Sequence, residues 1–356
     1  MKTKLLVAYH SPCMDGFGAA CAHYVSTKLE AVYKGVSYGL LKNLPHLENF
    51  PWNDEAITHI LFLDICPTRE TLDFLTKDKG FKVVILDHHE TAKSILMGYE
   101  NELVNWVIAD EFSGASLTLH CSTVIDDILN FKPTDTTVVN TTNGTVSSNI
   151  DADAFVYRRH LTSENRIFQL LEVRDLWLCD DVDMKAKADN FAAYAKFHEL
   201  ARGPVCYLSQ LIEDHGGIDE CCAKGAMINA VQQNIIINAI ENSYKSDVVL
   251  SNGKIVKLCI GLCPENMGSM FGDCWNTTTE IDSVAVGLFT NMRANEIGVS
   301  IRSDCKLARL IAEQMAGGGH DNAAGCVIRP NTNIGDLPSI NVIIRRIESI
   351  LINLDF

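Results

Sequence analysis

No apolar run in this 356-residue sequence approaches the ~18 residues that a membrane-spanning helix needs. No Gly-x-Gly-x-x-Gly and no Walker pattern is present, so the common nucleotide fingerprints are excluded. No Cys-x-x-Cys pair occurs either. The thirteen cysteines are scattered and odd in number, which points away from both a zinc ribbon and a disulfide framework. Residues 5–8 are too short for the apolar core of a secretion signal and read as a strand, so a reducing cytoplasm is the expected compartment. Basic runs are also missing. Arg158-Arg159-His160 is the nearest approach and reads as a solvated helix face. Proteins that hold long nucleic acid neutralise many phosphates with Lys and Arg. A chain of net charge −15 is therefore expected to take a short or small phosphorylated partner, not a long duplex, and no membrane.

What is present is ordinary globular composition, 47% hydrophobic and 21% charged, in a chain long enough for two domains. The informative stretch is Phe81-Lys82-Val83-Val84-Ile85-Leu86, an apolar, β-branched run that reads as a buried parallel strand and leads into Asp87-His88-His89. Open α/β sheets bind ligands beyond the carboxyl ends of their strands. Alone, the triplet favours a helix cap, Asp87, followed by two surface histidines. Two further strand ends change that reading. The strand at residues 4–9 runs into His10-Ser11-Pro12-Cys13-Met14-Asp15-Gly16, and the strand at residues 59–63 into Asp64-Ile65-Cys66-Pro67. Three strands thus deliver acid or imidazole to one sheet edge, which is the donor chemistry of a hydrolytic divalent metal.

His10…Asp15-Gly16, Leu63-Asp64, Asp87-His88-His89 and Glu172-Val173-Arg174-Asp175-Leu176-Trp177 resemble, in order, the motifs of the DHH phosphoesterase superfamily. That superfamily includes RecJ exonucleases, nanoRNases, cyclic-dinucleotide phosphodiesterases and family II pyrophosphatases. Near the other end, Val299-Ser300-Ile301-Arg302-Ser303 and Gly317-Gly318-Gly319-His320-Asp321-Asn322-Ala323-Ala324-Gly325 resemble the DHH-associated C-terminal domain. The resemblance implies a nanoRNase-like or exopolyphosphatase-related hydrolase working through a two-metal-activated hydroxide. It makes Asp64 the bridging carboxylate, with His10 and Cys13 on one metal and Asp15, His88 and Asp175 on the other. His89 would face the substrate phosphate. Asp15, Asp64 and His89 would carry catalysis. Oxygen and nitrogen ligands without a thiolate cage imply two divalent ions, Mn²⁺ first, with Mg²⁺, Co²⁺ and Fe²⁺ as alternatives.

One ligand departs from the family pattern. Cys13 stands where most of the superfamily has Asp, and its spacing from His10 is one residue shorter than in the nanoRNase-like form. A thiolate could ligate the first metal and bias it toward softer ions. Equally, Cys13 could be a buried free thiol beside a weakened site.

The expected architecture is α/β in two domains. Residues 1–185 would form a doubly wound, mostly parallel sheet carrying the metals, with Phe112-Ser113-Gly114-Ala115-Ser116-Leu117 opening a helix behind the site. Residues 131–150, rich in Thr, Asn and Ser, read as a long surface excursion, and residues 186–220 as a helical linker. Residues 221–356 would form a smaller mixed-sheet domain that binds substrate, with the active cleft between the two. In it, Ser303 or Asp304 would cap a helix ending at Gly317. Gly317, Gly318 and Gly319 would supply positive φ and exposed amides, with Arg302 and His320 as phosphate donors. The expected substrate is a short oligonucleotide or small nucleotide. The alternatives are a pyrophosphatase-like or polyphosphate hydrolase, or a non-catalytic nucleotide-binding module; a homodimer is left open.

Overall fold

Aliphatic runs in the first half of the chain pair into one seven-stranded sheet. Its strands are β1 (Lys4–His10), β2 (Ala31–Val36), β3 (Ile57–Leu63), β4 (Lys82–Asp87), β5 (Val104–Ala109), β6 (Thr137–Asn140) and β7 (Thr145–Ser148), in the order β2-β1-β3-β4-β5-β7-β6. A computed structural model of the chain describes residues 4–27, 30–41, 56–121, 125, 129, 137–140, 144–150, 166–176, 178, 180–203, 205, 208–279, 282–291, 294–319, 321–330 and 337–354. It divides into two units, Met1–Ile228 and Asn229–Phe356.

In the first unit β1 to β5 are parallel. Side chains alternate between faces along a strand, and here both faces are buried. Leu5, Val7, Leu61, Leu63, Val84 and Leu86 pack on one face with α1 (Met14–Ser26), α5 (Gly114–Cys121) and α6 (Arg166–Asp175). Leu6, Ala8, Ile60, Phe62, Val83 and Ile85 pack on the other with α3 (Arg69–Asp73) and α4 (Glu90–Leu96); the short helix α2 (Tyr38–Leu41) follows β2. This is the doubly wound arrangement, and it explains why the strands read as unbroken apolar runs.

Residues 137–140 and 144–150 are not a featureless surface excursion. Strands β6 and β7 pair antiparallel, and β7 continues the sheet against β5. Val146, Ser147, Ser148 and Ile150 are buried. Asn149 extends the ladder through its side chain, accepting the Trp106 N–H at 2.7 Å and donating to the Val104 carbonyl at 2.7 Å. Thr and Val favour strands when a partner edge is available, which a polar composition disguises. Residues 131–136 and 141–143 lie outside the described residues.

Helices α7 (Val182–Phe197) and α8 (Leu208–Asp214), within the stretch read as a linker, place Ala188, Phe191, Tyr194, Ala195, Leu208 and Ile212 in the first unit's core. Helix α9 (Ile218–Glu241) then carries the chain across the unit division. Among the described residues no helix is long and apolar enough to cross a membrane.

The second unit is a smaller mixed sheet of β8 (Tyr244–Val249), β9 (Ile255–Leu262), β10 (Ser283–Asn291), β11 (Glu296–Ser303), β12 (Gly318–Gly319) and β13 (Ala323–Ile328), ordered β12-β13-β11-β10-β9-β8. Only β9 and β10 run parallel. Helix α10 (Gly268–Thr278) covers one face through Phe271. The other is covered by α11 (Ala308–Gln314) and α12 (Ile340–Asn353), whose Ile343, Ile344, Ile347 and Leu351 recur at helical spacing.

Candidate metal centre

The order β2-β1-β3-β4-β5 reverses direction between β1 and β3, and in open α/β sheets such a switch point is where a crevice opens beyond the strand ends. His10 ends β1 and Asp64 follows β3, so the two flank that crevice. His88 and His89 follow β4, and Asp175 closes α6. Cys13 and Asp15 stand at the N-terminal end of α1. The seven residues singled out from the first half of the sequence are thereby brought together.

The geometry separates Asp64's two oxygens. Oδ2 lies 3.4 Å from His10 Nδ1, while Oδ1 lies 3.2 Å from His88 Nε2. His88 Nε2 is also 3.2 Å from Asp175 Oδ2 and 3.9 Å from Asp15 Oδ2. Two groups of ligand atoms follow, each mutually within 4.8 Å: His10, Cys13 and Asp64, and Asp15, His88 and Asp175. Asp64 is only 1% exposed at the floor, whereas His89 is 29% exposed at the mouth.

Charge balance in the pocket is uneven. Burial raises Asp15 well above the usual carboxylate range, with Asp64 and Asp175 pushing the same way. Burial raises Asp175 too. For Asp64, burial is outweighed by the His10 and His88 imidazoles, which hold it down to about 2. Burial disfavours the charged form of His88, yet Asp64, Asp175 and Asp15 lift it to about 9. His89 is likewise raised against burial, chiefly by Asp87. Carboxylates crowded this closely call for added positive charge.

Orphaned atoms say the same. His10 Nδ1, Asp64 Oδ1 and His88 Nε2 are buried without a hydrogen-bond partner; His88 Nε2 approaches Asp64 Oδ1, and His10 Nδ1 approaches Asp64 Oδ2, at ion-pair distance without the alignment of a hydrogen bond. Buried polar atoms are normally satisfied. Imidazole nitrogen and carboxylate oxygen converging with unspent lone pairs fit divalent cations.

Several supporting residues were not singled out for these roles. Asp87 is buried, and its Oδ1 accepts from the amides of His88 at 2.7 Å and His89 at 3.1 Å and from the His89 ring at 2.7 Å. Its place inside the Asp-His-His triplet was the available signal, but there it reads as a helix cap. The start of α5 does back the site: Gly114 and Ala115 donate their amides to Asp15 Oδ2 and Oδ1 at 2.6 and 3.1 Å. Gly114 is required by closeness, since a Cβ there would stand 2.5 Å from that of Asp64. At Gly16 a Cβ would meet the His10 carbonyl oxygen at 2.3 Å. Asp64 itself adopts φ 58°, an uncommon conformation for a non-glycine residue and one that clusters at functional sites. Tyr38 lays its ring edgewise against His10 and His89, with centroids 5.1 and 6.4 Å away.

In the second unit, Arg302 ends β11 half-buried. It donates to the Ile301 carbonyl at 2.9 Å, to Ser300 Oγ at 3.4 Å and to Ser269 Oγ, with its stem against Gly272. The glycine run behaves differently from expectation. Only Gly319 has positive φ, at 143°; the left-handed residue ending α11 is Ala316, at 61°. Gly317 is glycine because a Cβ would lie 2.2 Å from the Gly325 carbonyl oxygen. Gly318 is open to solvent. Neither Ser303 nor Asp304 is the N-cap of α11, which is Leu307. Ser303 Oγ accepts the Leu307 amide from one turn earlier, and Asp304 instead binds the amide and hydroxyl of Ser283. His320, like Trp177 and residues 158–160, lies outside the described residues.

At the level of sequence no family model matches the chain, and no curated protein matches it. Solved structures do. RecJ from Thermus thermophilus in complex with Mn²⁺ aligns with a TM-score of 0.51 at 14% identity, covering 99% of this chain and 53% of that one. The chain therefore spans about half of that RecJ. A second exonuclease RecJ, bound to manganese, gives a TM-score of 0.51 at 12% identity over 99% of this chain and 91% of that one. The chain shares the fold of these RecJ structures. In this fold the Asp87-His88-His89 triplet ends the strand next to the switch-point pair, where His88 meets Asp15, Asp64 and Asp175.

Proposed function

We propose that the chain is a metal-dependent phosphoesterase, hydrolysing phosphodiester or phosphomonoester bonds of short oligonucleotides or small nucleotides. The observation that carries this reading is Asp64, whose two oxygens face two separate ligand groups. One divalent ion would take His10, Cys13 and Asp64; the other would take Asp15, Asp64, His88 and Asp175. Mn²⁺ is the leading ion, with Mg²⁺, Co²⁺ and Fe²⁺ as alternatives. When bound, such a pair acidifies water and offsets the charge that develops at phosphorus.

The chain's own residues do the rest. Asp87 accepts from His89 Nδ1, which leaves His89 Nε2 to meet a phosphate oxygen at the mouth of the pocket. The α5 amides hold Asp15 toward His88. In the second unit the tethered Arg302 and the turn through Gly318 and Gly319, with His320, would hold a phosphate or base; Gly317 shapes that turn, its own amide being given to the Ala312 carbonyl at 2.8 Å. A net charge of −15 disfavours long duplexes, and the free state of the described cysteines supports a cytoplasmic setting.

The deciding experiment is release of mononucleotide from a 5′-labelled dinucleotide with Mn²⁺, Mg²⁺, Co²⁺ or no metal, using wild type and Asp64→Ala. Metal-dependent turnover that disappears in Asp64→Ala is the expected result. Turnover of polyphosphate or pyrophosphate alone would move the chain to the pyrophosphatase-like alternative. Failure with every metal on dinucleotide, bisphosphonucleotide, cyclic dinucleotide and polyphosphate would overturn the enzyme reading in favour of a binding module.

A further inference from the structure

The two ligand groups differ in one atom type. Asp15, His88 and Asp175 offer oxygen and nitrogen only, whereas the group around His10 includes the sulfur of Cys13. Among the described residues the other cysteines lie in or against hydrophobic clusters, Cys305 doing so while its sulfur also neighbours Asp282 and Asp304. Cys21, Cys66, Cys121, Cys221, Cys222, Cys259, Cys263 and Cys326 belong to hydrophobic clusters, and Cys274 and Cys305 pack against them. Cys13 alone among the described cysteines joins none of these clusters. It stands at the N-cap of α1, a position that favours Ser, Thr, Asp or Asn. Its sulfur lies within 4.8 Å of ligand atoms of His10 and Asp64.

A second, independent observation points to a ligand there. His10 Nδ1 is buried without a hydrogen-bond partner beside Asp64 Oδ2. The spacing suits a single ion. With metal–sulfur bonds of about 2.3 Å and metal–nitrogen or –oxygen bonds of about 2.0–2.1 Å, tetrahedral ligand atoms sit about 3–4 Å apart. His10 Nδ1 and Asp64 Oδ2 are 3.4 Å apart. Three protein ligands with a fourth position open is the pattern of a working metal site, while structural sites close all four.

We propose that the two metal positions are chemically unlike: His10, Cys13 and Asp64 form a sulfur-containing site that selects a thiophilic ion, Zn²⁺, Fe²⁺ or Co²⁺, while Asp15, His88 and Asp175 with Asp64 form a hard site for Mn²⁺ or Mg²⁺. Thiolate selects for softer ions and carboxylate for harder ones, so one pocket can sort two metals by ligand type. On binding, the Cys13 S–H bond gives way to a sulfur–metal bond and the proton passes to solvent. The inference rests on the metal-dependent phosphoesterase reading for its setting, but its readout is coordination, not turnover.

The test loads wild-type chain, Cys13→Ser and Cys13→Asp with Co²⁺ and records near-ultraviolet absorption, with bound metal counted after desalting. Wild type should show a thiolate-to-Co²⁺ charge-transfer band, and both variants should lack it. Loaded from an equal mixture of Zn²⁺ and Mn²⁺, wild type should keep Zn²⁺ in one position, and Cys13→Asp should lower that preference by roughly tenfold or more. Bound Co²⁺ without the band in wild type overturns the inference, even where Mn²⁺-dependent turnover persists. The band in a chain that turns over no phosphoester supports the inference and sinks the enzyme reading alone. Both variants also report on folding, through retention of the second ion.

Discussion

Asp87 fixes His89 from inside the triplet: its Oδ1 takes the His89 ring Nδ1–H at 2.7 Å and the His89 backbone N–H at 3.1 Å. A carboxylate can only accept, so the bond sets which imidazole nitrogen carries the inward proton and which faces the pocket mouth. Asp87→Asn keeps the shape but removes the charge. Turnover of a dinucleotide should fall by roughly ten- to a hundredfold, the range typical of partners that orient site histidines. Bound metal, counted after desalting, should not change. Unaltered turnover would show that His89 needs no such support.

Gly114 is the point of closest packing behind the site. A methyl there would meet the Asp64 Cβ at 2.5 Å and its carboxylate at 2.8 Å, both on a residue that is itself buried. The helix would have to back away, taking with it the two amides that hold Asp15. Gly114→Ala should destabilise the first unit by about 1–3 kcal/mol, as overpacking does elsewhere. It should also reduce metal retention. Denaturant unfolding and metal analysis check the two parts separately, and normal values in both would refute the packing argument.

What the sequence disclosed and what it concealed divide along contact range. His10, Asp64 and His88 were legible because apolar strand and polar strand end are neighbours in the chain. The bond from Gly114 to Asp15 spans 99 positions, and no local pattern marks it. Strands β6 and β7 were hidden by Thr and Ser, which become strand residues only once β5 offers an edge. The stretch 186–220 reads as linker because alanine is neutral in periodicity, yet Phe191, Tyr194 and Ile212 fill the core. Gly317 shows a subtler gap. Glycine was expected for positive φ, but that conformation falls to Ala316, and Gly317 serves close approach to β13.

Arg302 offers a test confined to the second unit. Its guanidinium is tethered to Ser269, Ser300 and the Ile301 carbonyl, so little rotamer freedom is lost when a phosphate binds. Arg302→Ala should raise KM for a dinucleotide by roughly ten- to a hundredfold, the equivalent of about 1.5–3 kcal/mol for a charge-assisted bond. Arg302→Lys should recover only part of this, because an ammonium cannot reproduce the two-pronged contact. Metal content should stay that of wild type. An unchanged KM in both variants would remove Arg302 from substrate binding.

His23 links stability to pH away from the site. It is fully buried in α1, with Nδ1 2.8 Å from the Tyr33 hydroxyl, and burial lowers its pKa to about 4. The unfolded chain returns it to about 6.5, so below that pH the unfolded state binds the extra proton. The neutral imidazole's contribution is therefore complete above pH ~6.5 and is lost as the pH falls through about 4. The difference corresponds to about 3 kcal/mol. Unfolding of metal-free wild type and His23→Asn by denaturant at neutral pH and near pH 4 should show it. Asn cannot take up a proton, so the stability gap favouring wild type should shrink by that amount on acidification. A gap of constant size at both pH values would mean that His23 is protonated as readily folded as unfolded.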